Sequence, residues 1–93
     1  MYSDNLEFNT EQLQVQIGVL ENIRDVITNS KTKYIDYINN QLSPNWTTEA
    51  GIKTVNELIN FAEVDIQSFI QYLTNRISDL EAAKQRTIQI DQA

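Results

Sequence analysis

The chain has 93 residues, thirteen acidic and seven basic, for a formal charge of −6, and it contains neither cysteine nor histidine. That length makes one domain with little room for a second core, and the missing residue types exclude disulfides, thiolate nucleophiles, the common zinc sites and imidazole acid–base catalysis. An acidic balance with no basic stripe argues against binding nucleic acid or anionic lipid surfaces.

The first twelve residues, MYSDNLEFNTEQ, carry acids where a signal peptide would carry lysines, and no apolar core follows them. No apolar run approaches the ~20 residues needed to span a bilayer. Neither cleavable-leader export nor stable membrane insertion is expected. Two glycines and one proline are too few for the tight turns of a sheet protein. The composition points to few elements, each long.

In the first half, Leu6, Leu13, Leu20, Ile27 and Tyr34 fall seven apart, with Ile17 and Ile38 in a companion row. Such spacing predicts a helix over about 6–41. Asp4, Glu7 and Glu11 lie early and Lys31 and Lys33 late, which complements the helix dipole. Gly18 lies inside this helix, either as a tolerated small residue or as the site of a close helix crossing.

Next comes LSPNWTTEAG, with the only proline, the only tryptophan and the second glycine. It predicts a turn at about 42–46. Pro44 suits the first position of a second helix, with Ser43 as its N-cap and Thr47 as the competitor.

Beyond it, Ile52, Ile59, Ile66, Leu73 and Leu80 repeat every seven residues, and Val55, Ala62, Phe69 and Ala83 form a second row. Arg76 interrupts that second row, and Ile77 beside it can supply the apolar surface. A second helix is expected over about 45–88, with left-handed, coiled-coil-like packing and a flexible tail at 89–93. The short connection makes the two helices antiparallel.

The fold class expected is therefore all-α, an antiparallel two-helix hairpin. Its packing residues are Leu13, Ile17, Leu20, Ile27, Tyr34, Ile52, Ile59, Ile66, Phe69, Leu73 and Leu80. Val15, Val19 and Val26 on the first helix, and Leu58, Phe61, Val64 and Ile70 on the second, add more apolar surface than one partner helix can cover. Two hairpins pairing into a four-helix bundle would bury the surplus.

A hairpin of this size without cysteine and with tryptophan in its turn resembles the WXG (ESAT-like) superfamily of type VII secretion substrates and partners. As architecture the resemblance covers nearly the whole chain, and as a motif it covers NWTTEAGIKTVNEL. It implies helical dimers, homomeric or heteromeric, that leave the cell folded and without a cleaved signal peptide, and the richness in Ile and Asn is compatible with the AT-rich genome of a Gram-positive bacterium. It also implies a role for Trp46 in a recognition surface at the turn; the physical alternative is an indole that plugs the open end of the helix pair.

This sequence departs from the family in two places. Thr48 stands where the family has glycine, the nearest glycine being Gly51, and no Tyr-Xaa-Xaa-Xaa-acid export signal follows the second helix. Phe61 and Asp65, in FAEVD, resemble instead the Phe-Xaa-Xaa-Xaa-Asp element of small helical partners of LXG toxins. That resemblance implies an adaptor that binds a toxin's helical N-terminal domain. A cytoplasmic coiled-coil protein is the third reading. Carboxylate pairs such as Glu7 with Glu11 and Glu21 with Asp25 fall off the apolar rows and lack histidine, so neither an enzyme nor a cofactor or metal site is expected.

Overall fold

A computed structural model describes the backbone of residues 2–92 and the side chains of 10–90. The chain is an all-α helical hairpin, with no strand among the described residues. Helix α1 spans Tyr2–Tyr37 and continues into a wide π turn, Ile38–Leu42, and a 3-10 turn, Ser43–Asn45. Helix α2 spans Glu49–Asn60, a second π segment follows at Phe61–Ile66, and α3 spans Gln67–Gln92. Helix thus extends past the expected outer limits at 6 and 88, so that positions 89–92, expected as tail, are helical, whereas α2 begins at Glu49 and not at 45. Leu6 and the Glu7 side chain, named in the sequence reading, lie outside the described side chains. Among the described residues no helix is long and apolar enough to cross a membrane.

Contacts divide the chain into two compact units, Met1–Arg24 with Tyr72–Ala93, and Asp25–Gln71. The first, the terminal unit, buries Ile17, Leu73 and Ile77, and Leu13, Leu20 and Leu80 are half-buried. Lys84 Nζ donates a hydrogen bond to Gln14 Oε1 there, tying the two antiparallel segments together. The second, the turn unit, buries Ile38, Val55, Ala62 and Ile70, with Ile27, Tyr34, Ile59 and Ile66 half-buried around them.

Pro44 does not open the second helix. It sits in the 3-10 turn that finishes the first one, just after the π turn whose last bond runs from the Ser43 N–H to the Ile38 carbonyl. A proline removes an N–H and crowds the carbonyl four residues back. The five-residue spacing of the wide turn relieves that conflict, so helical structure persists up to the proline. Trp46, at φ −112° and ψ 73°, then breaks the helix, and its N–H still bonds the Leu42 and Ser43 carbonyls. Asn45 Nδ2 donates to the Gln41 carbonyl at 2.8 Å, occupying another acceptor at the helix end.

The N-cap of α2 is Thr48, neither Ser43 nor Thr47. Its backbone is extended (φ −71°, ψ 159°), and its hydroxyl accepts from the Gly51 N–H at 3.1 Å. Glu49 in the first turn adds a charge that favours the helix N-terminus.

The second π segment resets which residues face inward. A seven-residue row through Val55 and Ala62 leads to Phe69 and Arg76. Phe69, expected in the core, is 47% exposed, whereas Ile70 is 8% exposed and Ile77 is buried. The bonding explains this: the Gln67 N–H reaches back five residues to the Ala62 carbonyl, so one extra residue is accommodated and the row of Phe69 and Arg76 gives way to Ile70 and Ile77, while Leu73 stays buried. Without the slip the seam would bury the guanidinium of Arg76, at a large cost for an unpaired charge. With it, two isoleucines are buried, and Arg76 lies exposed beside Asp79 at 3.7 Å.

Ile52, also expected in the core, is exposed. The seam is centred on Val55 and Ala62, which leaves the row through Ile52 on its flank, and Ile52 lies beside the polar residues Lys53 and Asn56.

Two consequences are measurable by urea denaturation. Deleting Glu63, exposed within the π segment, should turn that segment into ordinary α-helix and leave a cooperative fold. Deleting Asn75 should rotate Ile77 and Leu80 out of phase and lower stability by about the 2–5 kcal/mol of losing a core aliphatic. The glycines should diverge in the same way. A methyl group on Gly18 would meet nothing within 4 Å, and Gly18→Ala should stabilise by up to ~1 kcal/mol. A methyl group on Gly51 would lie 3.0 Å from Trp46 Cβ and 3.1 Å from both Thr48 Oγ1 and the Trp46 carbonyl oxygen. Gly51→Ala should therefore destabilise in spite of alanine's better helix propensity.

Candidate functional site

The residues singled out from the sequence fall in two places within the turn unit. Trp46 and Gly51 meet at the turn. Gly51 has no side chain, which allows the Trp46 backbone and Cβ to close over the first turn of α2. Thr48 holds the same corner through its cap bond. The Trp46 side chain is 41% exposed, so much of the indole remains open to solvent.

Phe61 and Asp65 lie elsewhere, on the wall of a groove of about 550 Å³ between α1 and the second half of the hairpin. Ile27, Ser30, Lys31 and Tyr34 make one wall, while Phe61, Asp65, Ile66 and Phe69 make the other. Trp46 is not among its lining residues. The structure therefore separates the tryptophan corner from the Phe–Asp element.

Local geometry accounts for the groove. The π segment begins at Phe61, and the slip it introduces moves Phe69 from the seam to the open face that Phe61 and Asp65 already occupy. Their spacing, four residues at each step, keeps them in one row. Across the groove, the Tyr34 hydroxyl donates to the Leu58 carbonyl at 3.1 Å, just before the wide turn where helical bonding is disturbed. Lys31 Nζ donates to Gln67 Oε1 at 2.7 Å, a second bridge between the antiparallel segments. Asp65 is exposed and makes no ion pair with any described residue.

The terminal unit has a smaller groove of about 380 Å³, lined by Val15, Val19, Leu20, Tyr72 and Leu80 with Gln16 and Arg76 at its edges. Both grooves offer aliphatic and aromatic surface with a few polar groups at the rim. That surface suits the apolar side of another helix.

The sequence reading missed Ser30 and Lys31 as groove residues and placed Phe69 in the core. The row Phe61, Asp65, Phe69 was present as a four-residue repeat. What hid it was the seven-residue period, which assigns Phe69 to the buried row when the helix is taken as regular.

Comparison with protein-family models, with curated proteins and with solved structures returned no match for this chain.

The Tyr34 bond is directly testable. Tyr34→Phe keeps the ring and removes only the donor to Leu58, and it should cost about 0.5–1.5 kcal/mol in urea denaturation with no change in helicity. A loss below a few tenths of a kcal/mol would mean that water serves the Leu58 carbonyl equally well.

Proposed function

We propose that this chain is a non-enzymatic helical interaction protein of WXG-like kind, which pairs with another helical protein and is exported as a folded helical dimer through a type VII secretion machinery. The observation that supports pairing is the apolar surface left uncovered within each unit. In the terminal unit Val15 is 65% exposed, with Val19, Ile23 and Tyr72 open beside it. In the turn unit Val26 is 64% exposed, with Phe61, Val64 and Phe69 similarly open. Single exposed apolar residues are ordinary, but repeated ones flanking grooves mark a contact surface.

The WXG-like assignment and the secretion route rest on the hairpin architecture and on tryptophan at its turn. The adaptor reading, in which the partner is the helical N-terminal domain of an LXG-type toxin, draws support from Phe61 and Asp65 lining one groove. In both readings the chain acts by covering another helix and being covered by it.

Sedimentation velocity of the native protein at low micromolar concentration tests the pairing. A dimer, or a stable complex with a second helical chain, is expected. A solitary, compact and cooperatively melting species would overturn the proposal.

A further inference from the structure

The groove of the turn unit carries information about its occupant beyond being apolar. Phe61 and Phe69 stand eight residues apart, about two turns along the helix. Asp65 stands midway between them. That length matches two turns of a helix laid along the groove, with anchors at i, i+3 or i+4, and i+7. An uncompensated carboxylate between two half-exposed phenylalanine rings is a poor seat for an entirely apolar helix, because covering Asp65 without a partner would strip its hydration. A cation at the middle anchor resolves this by pairing with Asp65.

A second copy of this chain fits less well. The turn unit has six acids against three bases, and the whole chain carries −6, so two copies repel. The one cation on the groove wall, Lys31, is already engaged by Gln67 of its own chain.

Resting on the pairing function above, we propose that the groove between α1 and the Phe61–Phe69 row takes a basic amphipathic helix from a different protein. Apolar anchors of that helix fill the spaces beside Phe61 and Phe69, and an arginine or lysine between them meets Asp65. The partner is thus identified by chemistry: an amphipathic helix with a cation inside its apolar stripe.

The probe is a designed helical peptide with leucines at i and i+7 and arginine at i+4, together with a twin bearing glutamate at i+4. Each is labelled and titrated against the full chain by fluorescence anisotropy. The arginine peptide should bind at least tenfold more tightly than its twin, and the preference should shrink as salt is raised. Asp65→Lys, an exposed substitution whose folding is checked by circular dichroism, should reverse the preference. Equal affinities, or a preference that Asp65→Lys leaves unchanged, would overturn the proposal. So would a homodimer that binds neither peptide, an outcome that leaves the pairing function standing. A monomer that binds neither would remove both.

Discussion

The structure depends on keeping one guanidinium out of the seam. The second half of the chain is patterned on a seven-residue row, and that row runs into Arg76. A regular helix would have to bury it. The wide turn at Phe61–Ile66 absorbs one residue, exchanges Phe69 and Arg76 for Ile70 and Ile77, and leaves the cation in water beside Asp79. Beside the wide turn the Leu58 carbonyl accepts from both the Phe61 N–H and the Tyr34 hydroxyl. The groove follows from the same slip. Phe69 on its wall is a residue that a regular helix would have directed inward.

A second constraint acts at the reversal. Trp46, Thr48 and Gly51 occupy so little space together that each limits the others: the hydroxyl caps the helix, the glycine leaves room for the tryptophan backbone, and the extended Thr48 aims the second helix back. Glycine is needed here for space and not for an unusual backbone angle, since no described residue has positive φ. Its placement five residues after the tryptophan suits a contact across the first helical turn.

Much of this could be read from the residues. The apolar rows specified α1 and its continuation, where Ile17 and Ile38 are indeed buried, whereas Lys31 and Lys33 fall short of the last turn, which holds no basic residue. The reversal at Pro44–Gly51 was equally legible, because proline, tryptophan and glycine occur together nowhere else. Periodicity failed at particular places for physical reasons. It treats helix pitch as constant, so it cannot register an inserted residue, although Arg76 in the apolar row and Ile77 beside it were the visible trace of one. Pro44 misled for a related cause: a wide turn ahead of it allowed the first helix to continue where a regular one would have stopped. Capping rules placed the N-cap near the proline, whereas the helix waited for Thr48, the first hydroxyl with a glycine N–H in reach.

The half-exposed indole at the reversal has a practical consequence. As the chain's sole tryptophan it is an intrinsic fluorophore fixed at one end of the turn unit, away from the residues that line the groove. Its emission colour will register whether an incoming molecule wraps the corner or only the groove, without any label being attached.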